Sequence, residues 1–460
     1  MEETSRRNSA LSAVALGAIL VAEGYGSLAT EILALRRMVP WAGSAVSVTA
    51  VLLAVYLAAL AGGYRRGGLL ARRGDPRPLL AVRLSAAGAL AAFWLSDLGT
   101  LAAFGLPVPP LMRAAVYSVA GIAPVGWLLA ESVLLAHACA PGRDPSAKAG
   151  GIFALSTAGN VLGALLTTFV LLRFLGTAAA AIVLVGGLFL AAAIASLRSI
   201  PVAAAAALAV FPAVDLWIEA TQYVERNAYA DYRIVELGDG GRMLEVSGQA
   251  ASRHDAQGQG WDYVERIEQT LCEAGETRVL ALGAAGMTLG KGALCALDVT
   301  FVDIDPAQER IAALFLGVPA GDAGRFAAAD ARAFLRGDAG GWKAIFIDTY
   351  SNSRTLPQHL LTAEFYRLAR SRLADGGSVY VNHLTWPRDT LFRTRAERTL
   401  RSVFADCSAW PVGIEQGRGW HDALSGAGNL LFRCRKSGLD GDRAIYSDAV
   451  PRADLDRSLR

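Results

Sequence analysis

A chain of 460 residues has room for two or more domains. It is 53% hydrophobic and 18% charged, with a mean hydropathy of +0.35, which excludes an ordinary soluble enzyme of this length. A net charge of +3 is close to balance and makes no electrostatic case for a nucleic-acid partner.

The apolar excess is uneven. Residues 1–222 are dominated by Ala, Leu, Val and Gly and read as an α-helical transmembrane domain. Residues 223–460 have a soluble composition and read as a second, α/β domain. A spanning helix needs about 20 mostly apolar residues. Candidates lie at 11–35, 42–64, 79–104, 110–139, 151–175, 177–197 and 201–217. That gives seven spans, or eight if 97–111 (DLGTLAAFGLPVPPL) forms a further short or re-entrant segment. The first candidate is too long and too acidic for a signal peptide and no small-residue cleavage site follows it, so it reads as a retained span.

Arginines gather after the second candidate (Arg65, Arg66, Arg72, Arg73, Arg77), near the start (Arg6, Arg7) and after the fourth (Arg143, with Lys148). The positive-inside rule puts these segments in the cytoplasm, as in a bacterial inner membrane. Seven crossings would then leave the soluble half outside, whereas a cytosolic substrate asks for it inside. The expectation carried forward is a cytoplasmic catalytic domain, with the number of crossings open. Glu23, Glu31, Arg83, Arg113, Glu131 and Asp215 fall within or at the ends of spans, where an unpaired charge costs several kcal/mol. Glu31 is expected to reach Arg36 or Arg37. Glu23 or Glu131 lining a cavity for a cationic ligand is the functional counterpart. Gly159, Gly163 and Ala164 mark a close helix contact in the fifth span.

In the soluble half, strand-like runs at 232–237 and 242–246 flank Gly238-Asp239-Gly240-Gly241, a β-hairpin signal. A helical pattern follows at 261–272. Strands are expected at 278–282, 299–302, 325–328, 344–347 and 378–381, with helices between, which is the pattern of a doubly wound, mostly parallel sheet. A helix at 388–404 and strands near 410–414 and 429–433 complete it. Trp410, Trp420 and His421 either line the pocket or pack, with packing the favoured reading, and the tail from 437 is polar. Cys139, Cys272, Cys295, Cys407 and Cys434 show no C-x-x-C pair and no ligand spacing with His. A reducing compartment and no zinc is the simplest reading.

The chemistry gathers at strand ends. The first turn, Leu282-Gly283-Ala284-Ala285-Gly286-Met287, has the glycines that a tight strand-to-helix turn and a close ligand require. Asp303 ends the next strand, 20 residues after Gly283, where a carboxylate can accept from both ribose hydroxyls. Asp330, in AADARAF, ends a third strand and suits an adenine amino group or a helix cap. Asp348 ends the fourth, AIFID, and heads a loop into a helix. Three acids at successive strand ends point to a nucleoside pocket beside a catalytic carboxylate.

These residues resemble the spermidine synthase (aminopropyltransferase) family, and in particular its membrane-fused branch. Tyr263-Val264-Glu265 matches the family's Tyr-x-Glu, Val302-Asp303-Ile304-Asp305 its ribose motif, Asp330-Ala331 its adenine-side pair, and Asp348 its catalytic Asp. Leu356-Pro357-Gln358-His359-Leu360-Leu361-Thr362 and Glu31-Ile32-Leu33-Ala34-Leu35-Arg36 are similar to the membrane-fused branch. The resemblance implies a Rossmann-like domain of the methyltransferase and spermidine-synthase type, preceded by the hairpin. It implies Asp348 and Tyr263 as catalytic. It implies Gly283, Gly286, Asp303, Ile304, Asp330 and Ala331 as the adenosyl site, with Glu265, Gln249, Arg233 and Tyr350 toward the second substrate. S-adenosylmethionine or its decarboxylated form is then the substrate, 5′-methylthioadenosine the product, and no metal takes part.

Departures are informative. The family's amine-gripping Asp falls at Gly286, and the second Asp of its D-x-x-D motif at Ser351. Its Leu-Asp-Gly-x-x-Gln reads Val246-Ser247-Gly248-Gln249-Ala250-Ala251, and its Ser-x-Tyr-Gln reads Ala230-Asp231-Tyr232-Arg233. The nucleoside grip survives and the diamine grip does not. The sequence therefore points either to aminopropyl-type transfer onto an amine other than putrescine or to intramolecular attack within the donor. A methyltransferase and a nucleoside-binding transporter or sensor are the alternatives. The lipid bilayer is the expected surroundings, and self-association is left open.

Overall fold

In the computed structural model the described residues are 11–42, 46–72, 75–108, 110–141, 144–292, 294–350, 357–385, 390–412, 428–436 and 448. The chain divides into two compact units, Met1–Ala228 and Tyr229–Arg460.

Among the described residues the first unit is helical apart from a two-residue strand at Glu225–Arg226: α1 (Ala13–Ala42), α2 (Val46–Leu70), α3 (Pro76–Trp94), α4 (Asp97–Phe104), α5 (Pro110–Val116), α6 (Ala123–Cys139), α7 (Pro145–Leu166), α8 (Gly176–Ser196) and α9 (Val202–Gln222). A wide helical turn, Tyr117–Ile122, joins α5 to α6, and a second, Thr167–Leu171, follows α7. Among the described residues six helices are long and apolar enough to cross a membrane, or seven if α3 and α4, bent by 68°, form one span. The candidate span 79–104 is broken here, just before the stretch 97–111 for which a short or re-entrant segment was open. Ser96 breaks it: its hydroxyl caps α4 by accepting from the Gly99 amide at 3.3 Å. Small residues let α1 and α7 meet backbone to backbone, since a side chain at Gly24 would strike Ser156 and one at Gly159 would strike Val21.

Several charges inside this unit are paired, though not as expected. Arg37, 3% exposed, holds both Asp97 at 2.7 Å and Asp215 at 2.5 Å, and Arg226 joins Asp97 at 2.9 Å. Arg36 donates to the Asn227 carbonyl at 2.7 Å. The expected Glu31 pairing is therefore replaced by one with Asp97 and Asp215, acids supplied by the break and by the last helix. Arg113 donates to the Val108 carbonyl, and Glu23 accepts from Ser156 at 2.8 Å.

In the second unit the hairpin expected around Gly238–Gly241 forms between β1 (Asp231–Glu236) and β2 (Arg242–Val246), and β3 (Gln249–His254) extends it to a meander. After α10 (Asp262–Ala274) comes the main sheet: β4 (Arg278–Leu282), β5 (Asp298–Asp303), β6 (Arg325–Ala328), β7 (Trp342–Ile347), β8 (Leu373–Thr385), β9 (Asp406–Val412) and β10 (Gly428–Arg435). Its order is β9-β10-β8-β7-β4-β5-β6. β6, β5, β4, β7 and β8 run parallel, and β10 is antiparallel to both its neighbours. Helices α11 (Gln308–Leu316), α12 (Ala331–Gly337), α13 (Ala363–Arg372) and α14 (Thr390–Arg401) lie between strands. Apolar clusters cover both sheet faces, one around Ile345, Phe365 and Phe432, the other around Ile267, Phe301 and Phe346. From β4 the chain proceeds to β5 on one side, while β7 fills the other. The crevice at their carboxyl ends is the switch point where open α/β sheets bind ligands.

Two disulfides, Cys272–Cys295 and Cys407–Cys434, overturn the reading of five reduced cysteines; Cys139 alone is free.

Candidate active site

Register places the site. Leu282 on β4 lies beside Ile347 on β7, so Gly283 and Asp348 leave the sheet side by side. The Asp348 amide donates to the Leu282 carbonyl at 2.8 Å, and a Cβ at Gly283 would strike the Asp348 carbonyl. Gly283 has φ +100°, so only a glycine suits both the turn and this contact. On the other side of β4, Asp303 ends β5, and Asp330 follows β6. The strand ends thus present Asp330, Asp303, Gly283 and Asp348 in spatial order.

Asp348 is held from two directions. The Tyr263 hydroxyl, from the first turn of α10, donates to Oδ2 at 3.0 Å, and the Asn382 amide, from β8, donates to Oδ1 at 2.9 Å. Burial pushes its pKa up to about 6, and the two donors hold it from rising further. Burial, reinforced by the Asp348 charge, raises the Tyr263 phenol well above its ordinary range, so it stays a donor. Asn382 is 2% exposed, and its Oδ1 has no hydrogen-bond partner among the described residues. The sequence reading missed this residue because the expected strand stopped at Val381. The signal was a lone Asn ending the apolar run SVYV, with Val381 paired to Ile347 and hence Asn382 level with Asp348.

Asp303 accepts from the Ala284 amide at 3.1 Å and the Asp305 amide at 3.0 Å, which fixes the glycine turn. Burial raises its pKa, partly offset by those amides. Each oxygen keeps a further lone pair for a hydroxyl. Ile304 beside it is 53% exposed, an apolar surface suited to a flat ring. Asp305 is turned inward and takes the Tyr232 hydroxyl at 2.6 Å, tying the meander to the main sheet. Asp330 caps α12 through the Ala333 amide at 2.8 Å, and its second oxygen meets His359 Nε2 at 3.2 Å. Against a burial penalty these contacts hold it below the usual carboxylate range. Ala331 is buried under it.

The remaining expected residues divide. Gly286 has φ +69°, and a Cβ there would lie 2.9 Å from both the Phe315 ring and Ser252. The acid that the family carries at this place is thus excluded by packing as well as by sequence. Arg233 is engaged by Glu245 through Nε at 2.7 Å. Tyr350 donates to the Asn382 carbonyl at 3.0 Å and accepts from the Leu384 amide at 2.6 Å, bracing β8. Gln249 begins β3, and Glu265 stands two residues beyond Tyr263 on α10. Ser351, Trp420 and His421 lie outside the described residues. Trp410 packs against the core. Among the described residues no group of three His, Cys, Asp or Glu could hold a metal ion.

No protein-family model matches this chain, and no curated protein matches it. Among solved structures it is similar to a probable spermidine synthase from Corynebacterium glutamicum, at 18% identity over 49% of this chain and 84% of that one, with a TM-score of 0.38. It is similar to spermidine synthase from Thermotoga maritima, at 17% identity over 47% and 73%, with a TM-score of 0.36. An O-methyltransferase from Bacillus cereus in complex with SAH matches at 14% identity over 40% and 84%, with a TM-score of 0.29.

Proposed function

We propose that this chain is a membrane-embedded transferase or lyase that consumes an adenosyl sulfonium, S-adenosylmethionine or its decarboxylated form, and releases 5′-methylthioadenosine. The observation that carries the reading is Asp348, clamped between Tyr263 and Asn382 at the switch point, one strand from a carboxylate placed for a ribose. Binding a nucleoside needs Asp303 and its neighbours. It does not need a second, desolvated carboxylate held by two donors.

The chemistry follows from these groups. A sulfonium polarises its adjacent carbons and departs as a neutral thioether, so the leaving group needs no acid. The nucleophile needs help: an amine of pKa near 10.4 costs about 4–5 kcal/mol to deprotonate at pH 7. With a pKa of about 6, Asp348 is mostly ionised at neutral pH. It is also roughly 3 kcal/mol closer to an amine than an ordinary Asp is. It can align the ammonium and take its proton as attack proceeds. Nothing at Gly286 grips a donor amine, which supports an acceptor other than putrescine or attack by the donor's own amine.

The test is full-length protein in detergent, given each adenosyl donor with and without polyamines, with nucleoside products identified by mass. Release of 5′-methylthioadenosine is expected, and Asp348→Asn should lower it by about 10²–10⁴-fold with donor binding retained. S-adenosylhomocysteine as product would make the protein a methyltransferase and overturn the reading.

A further inference from the structure

We infer that the Tyr229–Arg460 unit works on the oxidising, extracytoplasmic face of the membrane. Two observations that share no residue lead there. The first is sulfur. Four of the five cysteines are paired, and both pairs lie in this unit, while Cys139 of the helical unit is buried and free. Cys272, near the end of α10, reaches 23 residues ahead to Cys295, and Cys407 sits directly opposite Cys434 across the β9–β10 ladder. Disulfides persist in oxidising compartments, and in the cytosol thiols are kept reduced.

The second is charge and parity. Arg143 and Lys148 follow the span Leu111–Cys139, and three candidate spans remain: Ser146–Phe174, Gly176–Ser199 and Val202–Gln222. Three crossings from that loop bring the chain out on the opposite face. Counting the bent pair Pro76–Trp94 and Asp97–Phe104 as one crossing puts Arg65, Arg66, Arg72, Arg73 and Arg77 on the same face as Arg143. Arg198, at the end of the span Gly176–Ser199, falls there too, while Arg173, at the end of Ser146–Phe174, falls on the other face. The Lys and Arg bias marks that face as cytoplasmic. A cytoplasmic catalytic unit would need an even number of crossings after Arg143 and two disulfides surviving among reductants. The placement stands whether or not the unit turns over an adenosyl donor; if it does, the donor reaches it from outside.

The experiment uses the full chain in bacterial spheroplasts, with one epitope at the carboxyl terminus and, separately, one inserted after Arg72. The terminal epitope should be reached by protease in intact spheroplasts, and the Arg72 epitope only after permeabilisation. In parallel, protein alkylated in situ and denatured should take one maleimide adduct before reduction and five after it. Protection of the terminal epitope in intact spheroplasts, or five adducts without reduction, overturns the placement.

A second site is carried by different residues. A cavity of about 450 Å³ between α2, α3 and α6 is lined by Arg66, Arg83, Glu131, Pro124, Trp127 and Leu128. Glu131, 1% exposed, pairs with Arg83 Nε at 2.7 Å and Arg66 Nε at 3.2 Å and accepts from the Trp127 indole at 2.7 Å. One carboxylate between two guanidinium groups leaves a net positive charge, which removes the cationic ligand considered for Glu131. Both arginines approach Glu131 by their Nε atoms, and Arg66 is 58% exposed, so guanidinium N–H groups remain for a further acceptor. We propose that this cavity takes the phosphodiester headgroup of an anionic phospholipid, whose chains continue along the apolar wall. Native mass spectrometry of the full chain should show one retained phosphatidylglycerol and no phosphatidylcholine. Arg66→Gln, at a side chain 58% exposed and so safe for folding, should weaken retention about fivefold. Equal retention of phosphatidylcholine, unchanged retention in Arg66→Gln, or displacement by inorganic phosphate at matched concentration overturns the proposal.

Discussion

Asn382 donates to Asp348 Oδ1 at 2.9 Å from the strand beside it, while its own Oδ1 is left buried without a partner among the described residues. The amide fixes the carboxylate on one side and offers an unspent acceptor on the other, which an amine N–H would satisfy. Asn382→Leu removes a donor to the ionised form, so the Asp348 pKa should climb above its present value of about 6. The acid limb of the pH–rate profile should move to higher pH in this variant, with the alkaline side little changed. An unshifted limb with a uniformly lower rate would mean that Asn382 only packs.

Asp348 also sets a pH dependence of stability with a definite sign. Its pKa in the folded protein lies above the ordinary carboxylate value, so the folded state binds this proton more tightly than the unfolded chain does. The associated stability is fully present below pH 3.8 and is lost as pH rises through about 6. Ligand-free Asp348→Asn should therefore be more stable than the parent at pH 8, by at most about 3 kcal/mol, with the difference shrinking toward pH 4. Thermal midpoints at the two pH values check this. A gain in stability that accompanies a loss of turnover is the expected mark of a functional carboxylate.

Much of this was legible in the chain. Four of the five parallel strands announced themselves as short apolar runs leading into Gly or Asp, and the hairpin through its Gly-Asp-Gly-Gly turn. What escaped depended on partners remote in sequence. QAASRH has too little apolar alternation to declare a strand, yet β3 forms because β2 offers it an edge. Cys407 and Cys434 show no spacing signal and become neighbours only through the β9–β10 register. Arg37 lies 178 residues from Asp215 in sequence, and only the packed helices show that these two rather than Glu31 form the pair. Asn382 needed the pairing of Val381 with Ile347 before its level in the sheet could be read.

Gly286 tests whether the missing amine grip can be restored. Gly286→Asp returns the residue type found in the family, but the backbone there sits at φ +69° with Phe315 and Ser252 in the way. The substitution should cost about 1–3 kcal/mol of stability and should not confer use of putrescine. Chemical denaturation of the variant, alongside product analysis with putrescine, decides both points. A stable variant that turns over putrescine would show that the loop rearranges.

The two nucleoside-side acids should behave differently when their charge is removed. Asp303 spends one contact from each oxygen on the Ala284 and Asp305 amides and keeps lone pairs free. Asp303→Asn should therefore lose about 1.5–3 kcal/mol of binding, roughly 10- to 150-fold in affinity for 5′-methylthioadenosine. Asp330 has its oxygens engaged by the Ala333 amide and His359, so Asp330→Asn should shift that affinity by less than about fivefold. Calorimetric titration of both variants with 5′-methylthioadenosine measures the contrast. Equal losses would mean that Asp330 meets the adenine directly and that its hydrogen bond to His359 opens when the nucleoside binds.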